Sequence, residues 1–216
     1  MKFNILSIIF IGLMLSCNEI SNHENNFKSK SDYRKKVEKV SILIQPFDGL
    51  PISTAKSIAM QLKEIYSGDV IVNKTIPLPK NALNQSQTRY RADSLIRYLG
   101  TIVKNGQLII GLTSKDISTT KGKYADWGVM GLGFCPGKSC IASTFRLKGK
   151  NRLEKLFKLA IHELGHTQGL ARTNANHCTI KTCLMRDAEG RDHLDELKEF
   201  CSVCKPVLIR AGWELK

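Results

Sequence analysis

The segment HELGHTQG, residues 162–169, decides the fold of this protein. Its two histidines, His162 and His166, are four residues apart and therefore lie about one turn apart on the same face of a helix. From that face both imidazoles can reach one ion at about 2.0 to 2.1 Å, the usual Zn–N distance. Glu163 lies beside them, where its carboxylate can act on a water at that ion. The segment predicts a metal-binding helix, and two solvent-facing histidines are the simpler alternative.

The residues before this motif predict one amphipathic helix that begins at Arg152. At about 100° per residue its apolar side chains fall on one stripe, which consists of Leu153, Leu156, Phe157, Ala160 and Leu164. Both histidines lie roughly opposite that stripe, and Gly169, three residues after His166, is a typical helix stop. The motif therefore lies near the end of a helix that packs against a core.

Predicted strands and helices alternate upstream of this helix. The strands are residues 40–47, 70–72, 108–112 and 141–147, and the helices are residues 54–66, after the N-cap Ser53, and 88–99, before Gly100. The alternation predicts an α/β domain with a mixed, largely parallel sheet. At a sheet edge, the strand at 141–147 would hold an extended peptide by main-chain hydrogen bonds, and inside the sheet it is an ordinary strand.

Four of the seven cysteines follow the motif in two pairs, Cys178 with Cys183 and Cys201 with Cys204. Thiolates with this spacing suit tetrahedral coordination of a zinc ion. In an oxidising compartment the same four cysteines would instead form two disulfides. We favour the zinc site.

Two further cysteines, Cys135 and Cys140, flank a turn that follows a glycine-rich segment. In an oxidising compartment a local disulfide is the simplest outcome for such a pair, and two free thiols are the alternative. We therefore predict a disulfide that closes this turn.

The motif and the residues after it resemble those of the archaemetzincins, a branch of the metzincin zinc peptidases. The matching segments are HELGHTQG at 162–169, His-Cys at 177–178, Cys-Leu-Met at 183–185 and Cys-Ser-Val-Cys at 201–204. The resemblance implies a compact, metzincin-like zinc peptidase domain over residues 37–216. It also implies two zinc ions per chain, one catalytic and one structural, with the four cysteines around the structural ion.

The same resemblance assigns roles to single residues of the motif. It implies that His162 and His166 are ligands of the catalytic zinc and that Glu163 is the general base. Met185 would be the methionine of the turn below the metal, although on composition alone a methionine is more often an ordinary core residue.

The chain departs from the family at the third catalytic histidine. The family places this histidine three residues after the glycine, where Arg172 stands here, and a protonated guanidinium cannot ligate zinc. His177 follows five residues later and, as in the family, directly precedes the first cysteine of the four. We predict that His177 is the third ligand after a longer loop, whereas a loop histidine beside Cys178 is the alternative. His193 is expected at the surface.

The first residues predict a bacterial lipoprotein signal peptide, residues 1–17. Lys2 supplies a positive charge, residues 3–15 form a mostly apolar run of thirteen, and Ser16 precedes Cys17. We expect cleavage before Cys17, lipidation of its thiol and a place on a membrane of the bacterial cell envelope. An uncleaved anchor is the alternative, although the run is shorter than the ~20 residues that span a bilayer. The polar residues 18–36 are expected to be a flexible tether.

The net charge of +14, from 33 Lys and Arg against 19 Asp and Glu, favours an anionic partner. An anionic membrane explains this charge as well as a nucleic acid does, and the export signal and the metalloprotease helix argue against nucleic-acid binding. The sequence therefore predicts a lipid-anchored zinc metallopeptidase that cleaves peptides or proteins by a zinc-activated water and Glu163. A catalytically silent zinc protein that binds a partner is the alternative, but it has no need of Glu163.

Overall fold

The structure is a computed structural model, and it describes residues 40–170, 177–188 and 191–216. The predicted signal peptide, the tether, Cys17 and Arg172 lie outside the described residues. Within the described ranges, no helix has both the length and the apolar character that crossing a membrane requires.

Strands and helices alternate along the first half of the described chain, and the longest helix follows them. In chain order the elements are β1 (Ser41–Pro46), α1 (Ile52–Ile65), β2 (Val70–Val72), β3 (Tyr90–Arg91), α2 (Ala92–Ile102), β4 (Gln107–Thr113), β5 (Ile117–Lys121), β6 (Tyr124–Val129), β7 (Gly131–Gly133), β8 (Ser139–Ser143), α3 (Arg152–Thr167) and α4 (Lys205–Arg210). Helix α3 begins at Arg152, as the apolar stripe predicts.

The main sheet has five strands in the order β2-β1-β4-β8-β7. Its first four strands are parallel, and β7 runs antiparallel to β8. This arrangement confirms the predicted α/β class with a mixed, largely parallel sheet. A second sheet, β3-β5-β6, was not predicted.

Helices cover both faces of the main sheet. Ile42 and Ile44 of β1 belong to a buried cluster that includes α1 and α3, whereas Leu43 belongs to a second cluster that includes α2. Because both faces of β1 are covered, the strand is apolar at successive positions instead of alternating with polar residues.

The boundaries of two helices differ from the predicted ones. Helix α1 begins at Ile52, before Ser53, which makes no capping hydrogen bond. Helix α2 starts at Ala92 instead of residue 88, because the preceding residues Tyr90–Arg91 pair with β5. It also continues past Gly100 to Ile102, since packing of its apolar face on the sheet outweighs the low helix propensity of one glycine.

The last predicted strand is shorter than expected and is not at an edge. Strand β8 ends at Ser143, and it is hydrogen-bonded to β4 on one side and to β7 on the other. The edge of the sheet beside β8 is β7, which comes from the glycine-rich segment before the Cys135 turn.

Candidate active site

Helix α3 brings the two motif histidines to its C-terminal end and stops there. Gly169 has a φ of +83°, in the left-handed region that favours glycine. Its N–H donates to the carbonyl of His166 at 2.9 Å, and the N–H of Leu170 donates to the carbonyl of Gly165 at 3.2 Å. The predicted helix stop is therefore present, and it leaves both imidazoles at the end of the helix.

Three imidazoles converge at this end of α3. The Nε2 atoms of His162 and His166 are 3.0 Å apart. His177, on the segment after residues 171–176, adds a ring nitrogen, and the three nitrogen atoms all lie within 4.8 Å of one another. The structure thus brings together the three histidines that the sequence analysis selected.

Two main-chain carbonyls orient the first two imidazoles. The Nδ1 of His162 is 2.6 Å from the carbonyl oxygen of Leu184, and the Nδ1 of His166 is 3.2 Å from that of Leu170. A carbonyl only accepts, so each Nδ1 carries the proton and each Nε2 keeps its lone pair. Two lone pairs that face each other at 3.0 Å repel, and a cation between them would relieve that repulsion.

Burial keeps these imidazoles neutral. It lowers the pKa of His162 to about 3, with a further contribution from His166, and it lowers the pKa of His166 to about 4. Burial also lowers the pKa of His177, whose Nδ1 is 3.6 Å from a carboxylate oxygen of Asp187. Neutral imidazoles with available lone pairs are the form that binds a metal ion, so this donor set fits zinc.

Glu163 is buried between α3 and the edge strand β7, and burial raises its pKa to about 8. Two glycines make room for it. A Cβ at Gly131 would lie 2.5 Å from the Glu163 Oε1, and a Cβ at Gly133 would lie 2.7 Å from its main-chain carbonyl oxygen. The Gly-x-Gly sequence of β7 is therefore needed for the close approach of strand and helix.

The open edge of β7 lies along this site. The N–H of Ser143 donates to the carbonyl of Met130, and the N–H of Phe134 donates to the carbonyl of Ser139, so the even-numbered residues of the strand face β8. Main-chain groups alternate in direction along a strand, and those of Gly131 and Gly133 consequently point to the open edge.

The four cysteines selected by the sequence analysis also come together. Cys178 and Cys201 have their sulfur atoms 3.7 Å apart, those of Cys183 and Cys204 are 3.8 Å apart, and all four lie within 4.8 Å of one another. Tetrahedral zinc with Zn–S bonds of about 2.3 Å separates its sulfurs by about 3.8 Å, whereas a disulfide needs about 2.05 Å. The cluster fits a zinc ion better than two disulfides.

A short segment joins the two clusters. The N–H of Met185 is 3.4 Å from the sulfur of Cys183, and the residue between them, Leu184, supplies the carbonyl that orients His162. The Met185 side chain is buried against α3, where a Cβ at Gly165 would lie 2.5 Å from its sulfur. The predicted turn methionine thus lies against the helix that carries the histidines.

The predicted disulfide between Cys135 and Cys140 is wrong for this structure. The Cys140 side chain is buried in the main core and lies 3.7 Å from the carbonyl oxygen of Ile109. The Cys135 sulfur, beyond the end of β7, lies 3.3 Å from the carbonyl oxygen of Leu170. The two thiols therefore point to different parts of the fold and are not joined to each other.

A cleft of about 1130 Å³ opens over the histidines. Its lining includes β7, the exposed aromatic rings of Trp127 and Phe145, and part of the segment from Arg186 to Leu197. His193, expected at the surface, lines this cleft and lies 2.9 Å from a carboxylate oxygen of Glu196. It is not part of the histidine cluster.

Several groups that shape this site could not be recognised from the sequence. The carbonyls of Leu184 and Leu170 left no signal, because any residue can supply a carbonyl. The glycines at 131, 133 and 165 were visible in the sequence, but the need for each appears only when its packing partner is known.

Comparison with known proteins gives one consistent result. The sequence model of the family described as Peptidase family M54 matches residues 36–210. The archaemetzincin of Haloquadratum walsbyi is 28% identical over 178 residues, which are 76% of this chain and 97% of that protein. The archaemetzincin of Methanopyrus kandleri is 30% identical over 179 residues, which are 79% of this chain and 97% of that protein.

A solved structure shows the same similarity in three dimensions. The crystal structure of the Methanopyrus kandleri archaemetzincin matches with a TM-score of 0.67 and 28% identity. The match covers 82% of this chain and 97% of that one.

Proposed function

The chain belongs to peptidase family M54, the archaemetzincin family, and is a zinc metallopeptidase; from this premise we propose that His162, His166 and His177 hold its catalytic zinc and that Glu163 is the general base. The observation that supports the proposal best is the pair of Nε2 atoms 3.0 Å apart, each on a ring whose Nδ1 is bound to a carbonyl.

The zinc ion and the side chains of the protein have different tasks in the reaction. Zinc, when bound, would act as a Lewis acid that polarises the scissile carbonyl and lowers the pKa of the attacking water. Glu163 takes the proton from the attacking water and passes it to the leaving amine. Its burial beneath β7 keeps the carboxylate away from bulk water and strengthens its interaction with that proton.

The open edge of β7 is the proposed place for the substrate backbone. Gly131 and Gly133 direct their main-chain groups to that edge, where an extended peptide can add as a further strand. Strand β7 takes the role that the sequence analysis considered for the strand at 141–147.

The four cysteines are proposed to hold a second, structural zinc ion. Their sulfur spacings match the edges of a tetrahedral site, and four protein ligands leave no position open for chemistry. The expected content is therefore two zinc ions per chain.

The location of the protein is a separate proposal. Residues 1–17 are proposed to be a lipoprotein signal peptide and residues 18–36 a tether, so that the peptidase domain at 37–216 is held at a membrane of the cell envelope. This proposal rests on the sequence of the first residues alone.

The experiment that tests the catalytic proposal compares two Glu→Gln variants on the same helix. Glu163→Gln should keep its zinc and lose about 10²-fold to 10⁴-fold in kcat/KM on a peptide library, because an amide cannot accept the proton. Glu154→Gln is the matched control, since Glu154 is exposed and pairs with Lys158 in the first turn of α3.

Zinc content and a chelator control complete this test. Full activity of zinc-loaded Glu163→Gln would contradict the proposed base. If the wild-type protein cleaves no peptide in a chelator-sensitive way, a silent zinc-binding protein becomes the better account.

A further inference from the structure

More cationic than acidic residues line the active-site cleft. The catalytic proposal gives this excess of positive charge no role. Five described residues of the lining are cationic, namely Lys121, Arg146, Lys148, Arg186 and Arg191. Three described residues of the lining are acidic, namely Glu163, Asp187 and Asp192.

Each of the three acidic residues is already engaged within the protein. Asp187 lies 3.6 Å from the Nδ1 of His177, and Asp192 forms a 2.8 Å ion pair with Lys155. Glu163 is buried behind β7. Asp187 is the exposed one of the three, so the described part of the lining carries more exposed cations than exposed carboxylates.

Two of the five cations are paired with acidic side chains. Arg146 forms a 2.8 Å ion pair with Asp116, and Arg186 pairs with Glu196. Lys121, Lys148 and Arg191 are exposed, and within the described ranges none of them has an acidic side chain within ion-pair distance. Their charge is available to a ligand in the cleft.

Aromatic rings accompany these free cations. The Lys121 ammonium lies 5.2 Å from the centre of the Trp127 ring, within the range of a cation–π contact, which limits where the charge can move. Trp127 and Phe145 are 40% and 57% exposed, so the cleft offers apolar surface beside positive charge.

We propose that this cleft selects peptides that carry Asp or Glu close to the scissile bond, through Lys121, Lys148 and Arg191. The inference rests on the proposed peptidase function and specifies its substrate class. The physical reason is charge complementarity, since a cleft lined by one sign of charge raises the local concentration of the opposite sign. Because these cations are exposed, the preference should weaken as salt increases.

The first experiment compares matched peptides. A random peptide library is digested with the zinc-loaded protein, the cleavage sites are identified by mass spectrometry, and one cleaved sequence is made with Glu or with Gln at flanking positions. Each exposed charge contact contributes roughly up to five-fold. The Glu peptide should therefore be preferred by about five-fold or more in kcat/KM at low salt, and by much less at high salt.

The second experiment separates the cleft from the overall charge of +14. The double variant Lys121→Gln/Lys148→Gln should lose most of the preference for the Glu peptide. The control Lys56→Gln/Lys104→Gln removes the same charge from two exposed lysines that do not line the cleft, and it should retain the preference.

A binding measurement keeps this inference distinct from the peptidase proposal. Fluorescence anisotropy with the Glu163→Gln variant compares its affinity for the labelled Glu and Gln peptides without cleavage. Preferential, salt-sensitive binding of the Glu peptide supports the inference even if no hydrolysis is detected, in which case only the catalytic proposal fails. Equal binding of both peptides, or an equal loss in both double variants, overturns the inference and leaves the peptidase proposal intact.

Discussion

Two main-chain carbonyls prepare the histidine cluster for a cation before any ion arrives. By accepting the Nδ1 protons of His162 and His166, they direct both Nε2 lone pairs to one point. The third imidazole has weaker support, because its Nδ1 lies 3.6 Å from a carboxylate oxygen of Asp187 and makes no hydrogen bond within the described residues. A carboxylate near a metal-binding imidazole raises the basicity of the ligand.

The third imidazole gives a prediction at the scale of single residues. His177→Ala should lower the zinc content by one ion per chain and leave the cysteine site filled, because two imidazoles alone hold zinc weakly. Metal analysis after dialysis measures this loss. The control is His193→Ala, which removes a cleft histidine that pairs with Glu196 and should leave the zinc content unchanged. The opposite result for the two variants would contradict the assignment of His177.

At the scale of elements, the contact between α3 and β7 depends on strand glycines. A Cβ at Gly133 would lie 2.7 Å from the carbonyl oxygen of Glu163 and 3.2 Å from the Cβ of His166. A main-chain carbonyl in a helix cannot move aside, so the strand itself would have to shift. The position of the open edge relative to the histidines is therefore set by residues without side chains.

Gly133→Ala should lower the free energy of unfolding by about 1 to 3 kcal/mol and also reduce kcat/KM, because it separates β7 from the helix. Thermal unfolding and peptide hydrolysis measure the two effects. Gly100→Ala should instead raise the free energy of unfolding by about 0.5 to 1 kcal/mol. Gly100 lies inside α2, and an added Cβ would meet only the Ser139 hydroxyl, at an ordinary 3.5 Å. Equal stability of the two variants would argue against the close packing of β7.

The cysteine cluster gives a second prediction at this scale. Cys201→Ser should destabilise the domain by more than about 4 kcal/mol, which is roughly 10 °C or more in Tm, because a structural zinc contributes directly to folding. Zinc affinity at the histidines should fall as well, since Leu184, which orients His162, follows Cys183 directly. Calorimetry and metal titration measure the two effects.

Cys135→Ser is the matched control for this substitution. It should change stability by less than about 1 kcal/mol, because Cys135 is not joined to Cys140 and a hydroxyl can still donate to the carbonyl of Leu170. A large loss for Cys135→Ser would indicate that the predicted disulfide forms after all.

At the scale of the whole molecule, the net charge of +14 and the proposed lipid anchor act together. A basic domain tethered to an anionic membrane is attracted to its surface, and this attraction weakens as salt increases. The cleft has the same sign of charge, and there Lys121, Lys148 and Arg191 are proposed to attract acidic peptides.

Cys17→Ala should abolish lipidation, so that the protein either remains an unprocessed precursor or appears in the soluble fraction. Intact mass and fractionation of cell membranes detect both results. The control is Cys135→Ser, which removes a thiol from the domain. Its signal-peptide cleavage, lipidation and membrane retention should be the same as in the wild type. Unchanged mass and retention for Cys17→Ala would show that the thiol is not lipidated.

Features that depend on neighbours along the chain were predictable from the sequence alone. The helix from Arg152, its stop at Gly169 and the shared face of His162 and His166 all follow from spacing within a few turns. The α/β class followed from the alternation of apolar segments. These features are local, so their physical causes can be found in adjacent residues.

Other features depend on residues that are far apart in sequence, and only the tertiary structure decided them. Strand pairing made β7 an open edge of the sheet, and it directed Cys140 into the core, away from Cys135. Packing placed Glu163 against two glycines and set the carbonyl of Leu184 against His162. The physical reason is that a strand edge, a buried thiol and an orienting carbonyl are each defined by a partner that the local sequence does not specify.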